Sequence, residues 1–148
     1  MQRVYSLLVD NNSGVLSRIS GLFTRRGYNI DSITAGVTAD SRFTRITIVS
    51  SGDEIILSQI EKQIAKLEDV IVVKVLKPEE SVYRELILVK IRANAQQRSE
   101  IVSIADIFRA KIVDAERESL VIELTGTQSK LEAFLQLLDG YEILELAR

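Results

Sequence analysis

The sequence of 148 residues contains no cysteine and no histidine. Without cysteine the chain has no disulfide, no thiolate nucleophile and no thiolate metal ligand, which is compatible with a reducing compartment. Without histidine it lacks the commonest general base and the commonest metal ligand. The sequence also contains neither GxGxxG nor GxxxxGK[ST], so it carries no phosphate-binding signature. Together these absences argue against catalysis.

The chain also has few aromatic residues and no excess of positive charge. The chain has no tryptophan, four tyrosines and four phenylalanines, and 19 basic residues against 21 acidic ones give a net charge of −2. A nucleic-acid-binding protein needs a basic face for the phosphates. An RNA-binding sheet also stacks bases on strand aromatics, and the third predicted strand offers Phe43 alone. Both observations argue against nucleic-acid binding.

No long hydrophobic run is present. The start, "MQRVYSLLVD", becomes strand-like at once and lacks the apolar core of a signal peptide. No apolar stretch approaches the length that spans a bilayer. We therefore expect a cytoplasmic, soluble protein.

What is present is a well-patterned globular chain. The apolar fraction is 46%, interrupted by one proline and seven glycines. Along the first half, segments with the apolar period of a strand alternate with segments that have the apolar period of a helix. They predict strands over 3–9, 28–37, 42–49 and 70–76, with helices over 14–26 and 53–67. Gly27 suits the C′ position of the first helix, and Gly36 favours a bulge in the second strand.

The second half repeats this pattern after "KPEES" (77–81), which supplies the one proline. Strands are predicted over 82–93, 111–116, 119–126 and 141–147, with helices over about 99–110 and 128–139. The helical segments 59–70 and 129–141 also match each other at three apolar positions, Ile60/Leu131, Ile64/Leu135 and Leu67/Leu138. The fold class is therefore α+β, with two ferredoxin-like βαββαβ domains over 1–77 and 78–148.

The turn "DNNSG" (10–14) before the first helix is the candidate site. A helix N-terminus has unpaired backbone N–H groups and a partial positive charge, which suit an anion. Asn11, Asn12 or Ser13 could instead cap that end, and Gly14 could be there for a positive φ. The matching turn of the second half, "NAQQR" (94–98), has no glycine, so a single site would lie in the first half.

A second polar segment adds to this site. "GYNIDSI" (27–33) is expected to return Asn29 beside the same end of the sheet. Two amide side chains and a bare helix start would suit a ligand that carries both a carboxylate and an ammonium group. One competing interpretation is a small hydrolase like the acylphosphatases, which use an arginine in the first βα loop and a nearby asparagine. Here that loop has asparagines but no arginine before Arg18.

The segment "NNSGVLSRISGLFTRRGYNIDSITAG" (11–36) resembles the N-terminal ACT domain of the small, regulatory subunits of acetolactate synthase (acetohydroxyacid synthase). The segments "GDEIILSQIEKQIAKLEDVIVVKVL" and "YRELILVKIRA" are similar to the same subunits, as are "IFRAKIVDAE" and "LTGTQSKLEAFLQLL". The resemblance covers essentially the whole chain. Relatives usually continue past "LELAR" into a short tail that contains glycine and basic residues.

The resemblance implies a non-catalytic regulatory subunit with a defined partner. That partner is the catalytic (large) subunit of acetolactate synthase, which holds thiamine diphosphate, FAD and Mg²⁺. The regulatory subunit activates it and confers feedback inhibition by valine in branched-chain amino acid biosynthesis. The resemblance further implies a homodimer through the ACT domains, with the effector between them.

The resemblance also assigns the effector-binding residues. Asn11 and the backbone N–H groups of Gly14, Val15 and Leu16 would come from one chain, while Asn29 and Ile30 would come from the other. The predicted site also includes the remaining turn residues, Asn12 and Ser13. A free-standing ACT-type amino-acid sensor without an enzyme partner is the alternative function. Because one methylene in an apolar pocket is worth only about 1–3 kcal/mol, the sequence leaves open which branched-chain amino acid acts.

Overall fold

Each half of the chain folds as a four-stranded antiparallel sheet with two helices. The computed structural model describes all 148 residues and divides into two units, Met1–Ser81 and Val82–Arg148. In the first unit the elements are β1 (Gln2–Asp10), α1 (Val15–Arg26), β2 (Ser32–Val37), β3 (Phe43–Ser51), α2 (Glu54–Ala65) and β4 (Val70–Leu76). A 3-10 turn (Pro78–Glu80) follows β4.

The second unit has the same order of elements. They are β5 (Glu85–Arg92), α3 (Ala95–Phe108), β6 (Lys111–Ala115), β7 (Ser119–Gly126), α4 (Gln128–Leu137) and β8 (Ile143–Ala147). The strand orders are β2-β3-β1-β4 and β6-β7-β5-β8, which are equivalent once the two halves are matched. The predicted α+β class with two ferredoxin-like βαββαβ patterns is confirmed. None of the helices is long and apolar enough to cross a membrane.

The core of each unit lies between its helices and one face of its sheet. Because side chains alternate across a strand, every second residue of a central strand is buried. In the first unit the fully buried apolar strand residues are Tyr5, Leu7, Val9, Ile46 and Ile48. In the second unit they include Ile87, Val89 and Ile91 on β5. The strand period visible in the sequence therefore decides which face carries the helices.

Helix α1 begins and ends at glycines, as the sequence predicts. Its apolar stripe buries Val15, Ile19, Leu22 and Phe23. Gly27 ends it in the left-handed region, at a φ of 68°, and its N–H contacts the carbonyls of Phe23 and Thr24. Only glycine adopts this conformation without a steric cost.

Two predictions about local structure are wrong. No bulge occurs at Gly36, because β2 pairs with β3 in one uninterrupted register from Ser32 to Val37. Helix α3 begins at Ala95 rather than near Ser99. Its start is set by a capping box in which the Asn94 side chain and the Gln97 side chain each satisfy a backbone N–H of the other residue. The first turn of α3 is polar and has no apolar periodicity, so the sequence pattern did not indicate that the helix begins there.

Tyr5 joins the sheet to α2 through a buried hydrogen bond. Its hydroxyl donates to the carbonyl of Leu57 at 2.7 Å, and its side chain is fully buried. Burial raises the pKa of the Tyr5 phenol to about 12, because the phenolate would lose its hydration. The neutral phenol is therefore part of the folded state.

We expect Tyr5→Phe to lower the free energy of unfolding at pH 7 by about 1 kcal/mol, through loss of this hydrogen bond. The folded pKa lies above the unfolded value of about 10, so the contribution of the phenol is complete below pH 10. It is lost as the pH rises through 12. Denaturant titrations from pH 8 to 12 should show a steeper loss of stability in the wild type than in the variant. Parallel curves would contradict this role.

Candidate functional site

The turn between β1 and α1 is held by its neighbours on both sides. The N–H of Asp10 donates to the carbonyl of Asp69 at 2.9 Å, and the N–H of Asn11 donates to the carbonyl of Arg42 at 2.8 Å. Gly14 then takes a φ of 87°, a left-handed conformation in which a side chain is strained. The expectation that a positive φ explains Gly14 is confirmed.

The start of α1 has no side-chain cap. No side chain accepts from the first backbone N–H groups of the helix, and its first turn contains no acidic residue. The interpretation that Asn11, Asn12 or Ser13 caps this helix is therefore wrong. Because N–H groups at a helix start have no intrahelical acceptor and sum to a partial positive charge, this end of α1 can accept an anion.

A cavity of about 220 Å³ opens at this uncapped end. Drug-sized ligands occupy pockets of about 300–1,000 Å³, so this cavity suits a smaller molecule. It is lined by six of the predicted site residues and by four others: Asn11, Asn12, Ser13, Gly14, Val15 and Leu16, with Val9, Asp10, Thr44 and Ile46. The four others were missed as site residues. All four lie on strands β1 and β3, and the alternation of those strands indicated Val9 and Ile46 only as core residues.

Arg18 and Asp69 form an ion pair beside the cavity. Arg18 Nε lies 2.5 Å from Asp69 Oδ2, and the Asp69 side chain is only 15% exposed. A Cβ atom built on Gly14 would lie 3.1 Å from the Arg18 guanidinium, so that cation rests against the glycine. Asp69 thus holds the turn through its carbonyl and holds Arg18 through its carboxylate. The ion pair places a fixed positive group next to the helix start.

The hairpin between β2 and β3 closes another side of the turn. Asn11 Nδ2 donates to the carbonyl of Ser41 at 2.9 Å, and Thr44 Oγ1 donates to Asn11 Oδ1 at 3.1 Å. Within the hairpin Arg42 pairs with Asp40 at 2.6 Å. Hydrogen bonds from Arg42 hold the pKa of the partly exposed Asp40 carboxyl below its usual value. Asn11 is therefore oriented by two defined partners, and its amide keeps one further N–H.

Asn29 does not lie beside this turn within one chain, so that prediction is wrong. Its Nδ2 donates to Asp31 Oδ1 at 2.6 Å, and Asp31 also accepts from Gln2 at the start of β1. Asn11 follows the end of the same strand. Since β1 has 9 residues, its ends lie roughly 26 Å apart. Helix α1 runs back along β1, so a residue that follows α1 returns to the strand's beginning. Ile30, next to Asn29, packs against the core there.

The equivalent helix start in the second unit is closed. Asn94 Oδ1 accepts from the N–H of Gln97 at 2.8 Å, and Gln97 Oε1 accepts from the N–H of Asn94 at 3.1 Å. The Arg98 side chain donates a hydrogen bond to the carbonyl of Arg117 at 2.7 Å. With the N–H groups of Asn94 and Gln97 already paired, this end offers a ligand fewer donors than α1 does.

A larger depression, about 660 Å³, lies on the outer surface of α4. Its lining comes entirely from that helix and the residues just after it: Ser129, Glu132, Ala133, Leu135, Gln136 and Asp139. One helix gives a single wall, whereas the cavity at α1 combines two strands, a turn and a helix start. We therefore assign the candidate site to the cavity. The structure contains no group of three or more side chains arranged to hold a metal ion.

Comparison with known proteins agrees with the fold. Residues 5–72 match the family model described as the AHAS small subunit-like ACT domain, and residues 84–148 match the model for the small subunit of acetolactate synthase. The probable acetolactate synthase small subunit of Methanothermobacter thermautotrophicus is 47% identical over 98% of this chain and 87% of its own length. The acetolactate synthase isozyme 3 small subunit of Escherichia coli is 46% identical over 100% of this chain and 91% of its own.

A solved structure shows the same architecture throughout. The crystal structure of the acetolactate synthase small subunit from Thermotoga maritima superposes with a TM-score of 0.92 at 41% identity, over 99% of this chain and 92% of that one. The fold and the first family match define an α+β protein whose N-terminal unit is an ACT domain. The chain belongs to the acetolactate synthase small-subunit family.

The requirement for glycine at the turn can be tested by comparing two glycines of this unit. We expect Gly14→Ala to lower the free energy of unfolding by about 1–2 kcal/mol, because alanine is strained at a φ of 87°. Gly21→Ala, inside α1, is the matched control. It should raise stability by about 0.5–1 kcal/mol, since only the mobile end of Arg25 lies near the new Cβ. Denaturant unfolding measures both, and equal effects would contradict the role of the turn.

Proposed function

We propose that this chain is the regulatory subunit of acetolactate synthase. In this proposal it binds and activates the catalytic subunit, which would carry thiamine diphosphate, FAD and Mg²⁺, and makes it sensitive to feedback inhibition by valine. The chain itself performs no chemistry. The observation that carries the proposal is the uncapped start of α1 above a small cavity, in a chain of this family.

The cavity has the chemistry that one end of an amino acid requires. The backbone N–H groups at Gly14, Val15 and Leu16 donate to the carboxylate, which the helix dipole also favours. The guanidinium of Arg18, paired with Asp69, lies on the same side against Gly14. The apolar side chain of the effector contacts the apolar lining of the cavity. Asp10 is the one carboxylate that lines this half of the site, and further acceptors for the ammonium group would come from a second chain.

The edge strand β2 is suited to pairing with a second chain. All six of its residues are exposed and none is charged, and its register on β3 is uninterrupted. Natural proteins protect unpaired edges with charges and bulges. The edge strand β6 has both, since it carries Lys111 and Asp114 and its register shifts between Ile112 and Asp114. We therefore propose a homodimer in which the β2 strands of two ACT domains pair.

Antiparallel pairing of β2 with its copy would complete the site. A two-fold axis brings the start of β2 in one chain beside the end of β2 in the other. That end is Val37, which pairs with Thr44, and Thr44 lines the cavity and binds Asn11. Asn29 and Ile30 precede β2 and would reach the cavity of the neighbouring chain. The separation of Asn11 from Asn29 within one chain thus supports a site shared between two chains.

Valine should stabilise the protein against heat. A ligand that binds only the folded state adds RT ln(1 + [L]/Kd), about 2.7 kcal/mol at one hundred times Kd, which corresponds to several degrees in Tm. Gly14→Asp should abolish the shift, because a strained side chain fills the turn and its charge repels the carboxylate. Thermal unfolding with and without valine is the measurement.

Two comparisons make this measurement specific. Leucine and isoleucine, tested in parallel, identify the preferred branched-chain effector. Gly140→Asp is the matched control, because Gly140 also has a positive φ, at 94°, but lies in the second unit. It should keep the full valine shift. A valine shift that persists in Gly14→Asp would refute the assignment of the site.

The shared site makes a second prediction about mixed dimers. Asn11→Ala and Asn29→Ala should each abolish valine inhibition of the reconstituted synthase while keeping its activation, since both remove ligand contacts from exposed side chains. Co-expressing the two variants with different tags should restore valine binding. Each mixed dimer then has one site with an intact Asn11 and an intact Asn29, so purified mixed dimers should bind one valine instead of two.

The readouts are calorimetric stoichiometry and inhibition of synthase activity. Sedimentation of the wild type at micromolar concentration should show a dimer. Mixed dimers without any valine binding would exclude a site shared in this way. Valine binding by a wild-type protein that neither binds nor activates a catalytic subunit would favour the free-standing sensor instead.

A further inference from the structure

The Asp31 carboxylate is a hydrogen-bond centre at the start of β2. It accepts from Asn29 Nδ2 at 2.6 Å and from Gln2 Nε2 at 3.2 Å, and the hydroxyl of Ser51 donates to it as well. The backbone N–H of Asp31 donates to the carbonyl of Val49 at 2.8 Å. Three side chains from separate segments of the first unit thus converge on one carboxylate.

This centre fixes the orientation of Asn29. An ionised carboxylate only accepts hydrogen bonds, so the amide of Asn29 must turn its NH2 group toward Asp31. The reverse orientation would place two oxygens 2.6 Å apart. The backbone of Asn29 is held too, because the hydroxyl of the buried Ser50 donates to its carbonyl. The side-chain oxygen of Asn29 is consequently directed away from Asp31 and is left as an exposed acceptor.

We propose that Asp31 is a positioning residue that selects effectors carrying an ammonium group. It presents the Asn29 side-chain oxygen as the acceptor for that group, and its own negative charge favours a cation nearby. The opposite half of the site presents the uncapped start of α1, whose N–H groups carry a partial positive charge. The two halves match the two charges of a zwitterionic amino acid. This inference rests on the proposed function, since Asn29 meets the effector only in the shared site.

Isothermal titration of the full chain with two matched ligands tests the inference. The ligands are L-valine and (S)-2-hydroxy-3-methylbutanoate, which has a hydroxyl in place of the ammonium group. The wild type should bind valine at least tenfold more tightly than the hydroxy acid. Asp31→Asn should weaken valine binding about tenfold, as expected for loss of a charged hydrogen-bonding partner, and change binding of the hydroxy acid less than about twofold. The selectivity ratio, which is the affinity for valine divided by the affinity for the hydroxy acid, should therefore fall sharply in Asp31→Asn.

Two further variants separate positioning from general effects. Asp53→Asn also removes one carboxylate from the first unit and keeps its cap on α2, where Asn is equally effective, so the ratio should not change. Ser51→Ala leaves the Asp31 carboxylate in place but removes one of its donors. It should lower the ratio by a smaller factor, about threefold, as expected for one hydrogen bond, and it provides the test should Asp31→Asn not fold.

The outcomes distinguish this inference from the proposed function. A wild-type protein that does not bind valine refutes both. If the wild type binds valine but Asp31→Asn weakens both ligands equally, Asp31 only maintains the loop and the inference is wrong. An unchanged ratio in both Asp31→Asn and Ser51→Ala also overturns it, while the proposed function stands.

Discussion

At Gly14 the backbone turns into α1 with a φ of 87° and without any side-chain cap. The other features of the site depend on this turn. It leaves the first N–H groups of the helix facing the cavity, and it allows the Arg18 guanidinium to lie directly against the backbone. Two other segments hold the turn, because the carbonyls of Asp69 and Arg42 both accept hydrogen bonds from it. A helix start is usually capped by a side chain from the same turn. Here hydrogen bonds to neighbouring segments hold the turn, and the start of α1 has no side-chain cap.

The two units show how one fold can differ in a single local feature. Both have the same strand order and the same helix positions. In the second unit the helix start carries Asn94 and Gln97, which satisfy each other's backbone N–H groups. Such a capping box stabilises the helix but occupies two N–H donors that an anion could otherwise use. The change from an open to a closed start requires only a few residues and no change of topology.

The sequence allowed the fold to be predicted more completely than the site. Strand β4 was predicted with its observed bounds, 70–76, because β-branched residues follow one another without interruption. The turn and the first residues of α1 were also identified, since glycine and asparagine patterns report local backbone geometry. The location of Asn29 could not be obtained in this way. Its distance from the turn depends on the direction in which α1 crosses the sheet, which is a tertiary property. Asp69 was missed for the same reason, because its contacts are with residues 10 and 18.

The uncharged edge of β2 has a consequence for how the effector and the assembly influence each other. In the proposed dimer, an amino acid that contacts both chains binds the pair more tightly than a separated chain. Thermodynamic linkage then requires that the effector strengthen the dimer by the same factor. The effector would thereby stabilise the contact between the two subunits. If that dimer forms, the exposed strand β2 would couple the concentration of the effector to the state of assembly.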